Sequence, residues 1–330
     1  MITKTLIIHP CFTRTGTTSF QDFLKSLDVN IIAKPVENQT NTIWFKLFKH
    51  DYFQSTNIYQ KKEIYDKDKL KKDFKDYLKK FFSNEKKNSI FSDEGFFGDL
   101  KNMNGINNLY TFKKILKEVE EELNIKVITK FIITIRAQYD LVVSTYHIDQ
   151  NYHKFMTFDE FCSKIIQYEE YQNLFDFTLI VEKIIKIFNS EILVLPLELL
   201  TNNKKKYVDK LTNFLSLEAA HSYNFPYLNR NKITKNKKNI YYLRYISLSK
   251  IFILASIIHN WLKKFQIYKK NFRNNTYLKI IYNFLKPKDK KIVSNNFENT
   301  YEKQIKKLYK NKNLKLEKIT NINLGEMNYY

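Results

Sequence analysis

Near the start of the chain a short apolar run, Thr5 to Ile8 (TLII), stops at His9-Pro10, passes through a loop as far as Gly16, and gives way at Thr18 to a helical pattern. A run this short and without polar alternation suits a buried strand of a parallel sheet. Thr18 and Gln21 fit a capping box, and Phe20, Phe23, Leu24 and Leu27 recur on one face of the helix they would open. Strand, loop and helix in that order begin a βα unit, and the rest of the chain has to be compatible with it.

The alternation continues. Strands are expected at Asn30 to Ala33, Ser89 to Ser92, Lys126 to Ile135 and Ile192 to Leu195; the third (KVITKFIITI) is the most β-branched run in the chain and reads as a central strand. Helices are expected at Lys67 to Phe82, with Leu70, Phe74, Tyr77, Leu78 and Phe81 inward, and at Leu109 to Leu123, Tyr139 to Asp149, Phe158 to Ile166 and Leu179 to Phe188. Strands that alternate with helices imply an α/β fold around a mostly parallel sheet. Beyond Pro226 the pattern is mainly helical. No internal repeat and no Gly-, Ser- or Pro-rich linker divides residues 1–330, so a single domain is expected.

Composition narrows the class. Apolar residues make up 43% of the chain, enough to bury a core, and Gly and Pro number only 5 each, which excludes collagen-like and low-complexity readings. Two cysteines, Cys11 and Cys162, build no disulfide framework, so a reducing compartment is expected. The apolar opening is too short for a signal-peptide core, and no segment reaches the roughly 18 apolar residues of a membrane span. The nearest, Ile246 to Leu262, is interrupted by Lys250. A cytoplasmic location follows as the expectation, with peripheral contact at the inner membrane surface as an extension of it. Residues 201–330 hold 28 Lys+Arg against 7 Asp+Glu, a balance of +21 out of the whole chain's +22. A one-sided field of that size attracts polyanions: a phosphorylated cofactor or acidic glycan, an anionic membrane, or nucleic acid. The Lys-, Asn-, Ile-, Tyr- and Phe-rich composition of an AT-rich coding sequence would produce the same excess.

Chemistry concentrates in two places. The first loop, His9-Pro10-Cys11-Phe12-Thr13-Arg14-Thr15-Gly16-Thr17-Thr18-Ser19, sets small and hydroxylated residues around Gly16 at a helix start, an arrangement that lets backbone N–H groups converge on an anion while Arg14 adds charge. It is not a Walker A loop, because GxxxxGK[ST] is absent. The second place is Phe131 to Tyr146 (FIITIRAQYDLVVSTY), where Arg136 ends the β-branched strand and Ser144 follows in the next helix, so that the two can converge on one phosphate. The histidines are scattered, His9 reads as a satisfied core group, and no His/Cys/Asp spacing resembles a zinc or di-iron site.

Both segments resemble the sulfotransferases that use 3′-phosphoadenylyl sulfate, in particular their bacterial carbohydrate-type branch. Pro10, Arg14, Thr15, Gly16, Thr17 and Thr18 match the family's phosphosulfate loop, with Arg14 standing where Lys is usual. Arg136, Asp140, Ser144 and Tyr146 match the spacing of its 3′-phosphate motif. Val194 to Leu200, Tyr207 to Leu217, Asn229-Arg230 and Asn299 to Leu308 resemble later elements, whereas 231–291 matches nothing and reads as a helical insert of unknown role. The resemblance implies a P-loop-like three-layer α/β/α fold with a helical, basic C-terminal extension. It also implies cofactor contacts from Arg14, Thr15, Gly16, Thr17, Thr18, Ser19, Arg136, Ser144 and Arg230, and no metal.

Sulfonate transfer to a hydroxyl needs a base and a positive site for the leaving phosphate. The resemblance makes Glu94 the base and Arg14 the catalytic cation; Asp93 is the rival base, and Gly95 and Gly98 would let backbone approach a substrate. The expected partner is a hydroxyl-bearing acceptor, an acidic glycan or lipid-linked sugar, with no nucleic acid. A P-loop small-molecule kinase, or a non-enzymatic binder of nucleic acid or membrane surface, is the alternative.

Overall fold

The computed structural model describes residues 1–10, 12, 14–24, 30–33, 47, 66–83, 88–92, 96, 104–148, 158–217, 241–243, 290–292 and 295–330. Strand β1 (Ile2–His9) leads through the loop into helix α1 (Thr17–Leu24), then β2 (Asn30–Ala33), α2 (Lys67–Phe82), β3 (Asn88–Ser92), α3 (Asn104–Leu123), β4 (Ile125–Ile135) and α4 (Gln138–Ile148). After α5 (Phe158–Gln167) and two short turns come α6 (Phe177–Phe188), β5 (Glu191–Pro196), α7 (Leu197–Asn202) and α8 (Lys204–Phe214), and α9 (Asn295–Thr320) closes the chain. Five strands form one sheet in the order β2-β3-β1-β4-β5, every pair parallel. The α/β expectation and its strand positions are met.

The period-2 alternation of the strands divides the core into two. Ile7, Ile90, Ile132 and Leu195 face one side and pack with Phe20, Phe23 and Leu24 of α1 and with Leu199, Leu200, Tyr207, Val208 and Leu211 of α7 and α8. On the other side Phe91 and Phe131 meet an aromatic cluster from α2, α3 and α6: Phe74 lies 5.9 Å from Phe112, and Phe188 lies 4.9 Å from Phe131. Helices on both faces of a parallel sheet make the three-layer architecture.

Two local expectations need correction. The inward column of α2 is Leu70, Phe74, Leu78 and Phe82, one residue each four; Phe81 is only half-buried and packs edge-on against Phe82 at 5.5 Å. A step of four residues turns about 40° past a full turn, so the buried column winds around α2 from Leu70 and has reached the Phe82 side by the last turn. The capping box is also absent: α1 starts one residue early, with Phe20 N–H donating to Gly16 C=O at 3.0 Å, which leaves Thr18 exposed in the first turn and frees Gln21 for a different partner.

Contacts divide the chain into two compact units, 1–145 with 165–230 and 302–330, and 146–164 with 231–301. In the second unit Tyr146 stacks on Phe161 and meets Phe158 edge-on, and the buried Cys162 thiol is pushed up by burial. It also holds an antiparallel pair, β6 (Tyr241–Leu243) with β7 (Lys290–Ile292), where the sequence pattern reads as helix. Tyr and Ile favour such a paired, pleated arrangement. The remainder of 231–291 lies outside the described residues.

Candidate active site

The chain leaves β1 at His9 and regains regular structure at Thr17. Between them Arg14 and Gly16 hold φ of 70° and 90°, while Thr15 stays on the negative side. Alternation of this kind can turn successive N–H groups to one side, the geometry an anion cradle needs, and the N-terminal end of a helix such as α1 carries a positive dipole end. Left-handed backbone at a non-glycine residue costs about 1–2 kcal/mol, so something must hold Arg14 there.

Hydrogen bonds beneath the loop do so. The Thr15 hydroxyl donates to the Phe12 carbonyl at 2.8 Å and lies 2.8 Å from the Thr134 hydroxyl of β4; the Thr17 hydroxyl donates to the same Phe12 carbonyl at 3.3 Å. Both hydroxyls are buried, as is Ser19. On its outer side the loop presents the half-buried Arg14 and the exposed Thr18.

Arg136 follows β4 and is half-buried, and Ser144 lies half-buried on α4. The start of α4 is built by a carboxylate: Glu198 of α7 accepts the Ala137 N–H at 2.9 Å with one oxygen and the Tyr329 hydroxyl at 2.9 Å with the other. Burial raises the Glu198 carboxyl above the usual carboxylate range, and these hydrogen bonds and the Arg136 charge draw it partly back. Behind it Gln138 and Asn313 of α9 exchange side-chain amide hydrogen bonds of 2.8 and 3.0 Å, both residues fully buried. Glu198, Tyr329 and the Gln138–Asn313 pair escape a reading of the sequence for chemistry. The one available signal is a glutamate set among leucines (VLPLELL) directly after a strand.

Strand order unites the two motifs. β1 and β4 are hydrogen-bonded neighbours, and the chain lays β2 and β3 to one side of β1 before crossing to β4 and β5 on the other. Ligands of open parallel sheets bind outside the carboxyl ends of the strands where the order reverses in this way. The Arg14 loop and Arg136 stand at the ends of those two strands. β3, on the other flank of β1, ends at Ser92, and Asp93 and Glu94 follow it in the sequence. Glu94, Asp93, Gly95, Gly98, Cys11, Asn229 and Arg230 lie outside the described residues. His9 has both ring nitrogens in hydrogen bonds and is fully buried, and burial lowers its imidazole to about 3, so it is a core group and not a base. Among the described residues no group of three or more His, Cys, Asp or Glu is placed to hold a metal ion, and no helix is long and apolar enough to cross a membrane.

No protein-family model matches the sequence, and no curated protein matches it. Among solved structures, a sulfotransferase from Alicyclobacillus acidocaldarius aligns with 66% of this chain and 82% of its own at 16% identity and a TM-score of 0.39. A mouse sulfotransferase complexed with PAP aligns with 66% of this chain and 60% of its own at 14% identity and a TM-score of 0.35. The sulfotransferase domain of the Synechococcus PCC 7002 olefin synthase aligns with 66% of this chain and 74% of its own at 11% identity and a TM-score of 0.37.

Proposed function

We propose that the chain is a sulfotransferase that takes a sulfonate group from 3′-phosphoadenylyl sulfate and delivers it to an acceptor hydroxyl. The observation that carries this reading is the pairing of two arginine-bearing strand ends: the Arg14 loop after β1 and Arg136 after β4, on hydrogen-bonded neighbours at the point where the strand order reverses. A nucleotide with phosphates at both ends of its ribose suits two such sites side by side.

In this reading Arg14 and the backbone N–H groups of Thr15, Gly16, Thr17, Thr18 and Ser19 hold the 5′-phosphosulfate, while Arg136 and Ser144 hold the 3′-phosphate and Arg230 closes over it. Thr15 and Thr17 serve through their N–H groups, since their hydroxyls are engaged by Phe12. The nucleotide, when bound, supplies the sulfonate and a phosphate leaving group. Arg14 and the cradle of N–H groups meet the negative charge that develops on that phosphate. Glu94 takes the acceptor's proton, with Asp93 as the rival for that role. The reading assigns no metal and treats residues 1–330, with 231–291 as an insert, as one catalytic domain.

The acceptor is proposed to be a glycan or glycolipid. Its support is the +21 balance of residues 201–330 and, on α9, the exposed Lys303, Lys307, Lys310 and Lys318, whose spacing sets them along one stripe of the helix. A lipid-linked acceptor would bring that surface against an anionic membrane.

Calorimetric titration with adenosine 3′,5′-bisphosphate, the expected product, tests the assignment. The parent is expected to bind, and Arg136→Ala to bind about ten-fold or more weakly through loss of a charge-assisted contact. A parent that ignores the bisphosphate but takes Mg-ATP is a kinase, and polyanion binding that survives loss of both Arg14 and Arg136 is a property of the basic tail alone.

A further inference from the structure

One row of hydrogen bonds runs beneath the anion loop and takes no part in the chemistry above. It passes from Gln21 of α1 to Ser92 at the end of β3, to His9 at the end of β1, to Thr134 near the end of β4, to Thr15 in the loop, and ends on the Phe12 carbonyl. Ser92, His9 and Thr134 have no exposed surface and Thr15 is 1% exposed, so none of these groups is open to bulk water.

Counting protons fixes its direction. Thr15 has one hydroxyl proton and gives it to Phe12, so Thr134 donates in the 2.8 Å contact between the two hydroxyls. Thr134 then has no proton left for His9, and accepts one from Nε2–H at 3.2 Å. An imidazole with its proton on Nε2 accepts at Nδ1, so the Ser92 hydroxyl donates there at 2.9 Å. Ser92 in turn accepts from the Gln21 amide at 3.2 Å, and the same amide nitrogen donates to the Ser92 carbonyl at 3.3 Å. Every donor and acceptor is matched, the row runs one way, and only one histidine tautomer satisfies it. The Phe20 ring, 4.0 Å away and tilted by 46°, holds the imidazole plane.

We infer that His9 is a positioning residue, which, as the Nε2–H tautomer, ties the carboxyl ends of β3 and β4 together and through Thr134 locks Thr15, and with it the left-handed Arg14 and Gly16, into the anion-binding shape. No ionisable side chain other than His9 makes a hydrogen bond in this row, and burial keeps the imidazole neutral through the working range of pH. The loop thus takes its shape from an uncharged device that the charge of a bound anion does not titrate. What the loop binds rests on the proposed function; that His9 shapes it does not.

Three variants of the full chain test the inference. Thr134→Val keeps the volume and removes the relay hydroxyl, His9→Phe keeps a ring against Phe20 and removes both nitrogens, and His9→Gln restores one donor and one acceptor. Thr134→Val and His9→Phe are each expected to weaken bisphosphate binding about ten-fold or more, and to speed amide exchange at Arg14, Thr15 and Gly16 by a similar factor; His9→Gln recovers part of both. Nitrogen NMR of the parent is expected to report the Nε2–H tautomer with no titration between about pH 5 and 8. A folded Thr134→Val variant with parental affinity and parental loop exchange overturns the inference, as does the Nδ1–H tautomer. Should His9→Phe fail to fold, Thr134→Val decides. If the parent does not bind the bisphosphate, the sulfotransferase reading falls, and loop exchange, read without nucleotide, still decides the role of His9.

Discussion

Gly16 holds φ of +90°, and a Cβ built on it would stand 2.8 Å from Cδ1 of Leu197. The leucine methyl can swing aside; the backbone angle cannot change without re-aiming the N–H groups that follow. Gly16→Ala is therefore expected to lose about 1–2 kcal/mol of stability and also to weaken bisphosphate binding, read by denaturant titration and calorimetry. A variant as stable as the parent would mean that the loop tolerates another conformation and is no fixed cradle. Glu94 makes the complementary residue-scale prediction, because it should affect turnover and not binding. In the proposed reading its carboxylate takes the acceptor's proton, so its loss acts on the chemical step. Glu94→Gln is expected to bind the bisphosphate like the parent and lose on the order of 10² to 10⁴ in turnover, with Asp93→Asn costing much less, since one carboxylate suffices to take the acceptor's proton. The reverse pattern would hand the role to Asp93.

At the scale of elements, the start of α4 depends on parts far away in the chain. Gln138 in its first turn pairs with Asn313 of α9 across 175 residues, and the Asn313 amide also reaches the Tyr329 carbonyl at 3.3 Å. Removing one member strands the other's amide in a dry site at about 1–3 kcal/mol, while removing both relieves it. Asn313→Leu is thus expected to melt lower than Gln138→Leu/Asn313→Leu, by differential scanning calorimetry; additive losses would show that the amides are not a pair. Pairings of this kind mark the limit of what was legible. Strand and helix positions follow from burial periodicity, which each segment carries in its own residues: Asn30–Ala33 and Lys67–Phe82 are recovered to the residue. The anion loop was legible for the same reason, since its glycine, arginine and hydroxyls are contiguous. Thr134, by contrast, sits within a β-branched run and reads as strand propensity, and Gln21 reads as a cap because its true partner, Ser92, is 71 residues distant. A lone polar residue on an apolar face announces that it needs a partner without saying which.

For the whole molecule, the same buried histidine sets a dependence of stability on acidity whose sign can be worked out. The His9 imidazole titrates near 6.5 in an unfolded chain and is lowered to about 3 in the fold. Between those values the unfolded state binds a proton that the folded state refuses, so acidification favours unfolding, by about 1.4 kcal/mol for each pH unit. The contribution is whole above pH 6.5, falls away below it and is exhausted below about 3. Other groups titrate in the same range with both signs. Glu122 on α3, held down to about 2 by hydrogen bonds from Lys79 and Lys75 of α2, loses its own stabilisation on acidification below 4.5. Glu198, raised by burial, works in the opposite direction. Neither is altered by a change at His9, so the difference between parent and His9→Gln isolates the imidazole. That difference in unfolding free energy, measured by denaturant titration, is expected to be constant above about pH 7 and to shrink steadily as the pH is lowered toward 4, because the variant has no proton to refuse. A difference that stays level through this window would mean that the folded protein accepts the proton as readily as the unfolded chain. The one-way row of hydrogen bonds under the anion loop would then be broken at its centre.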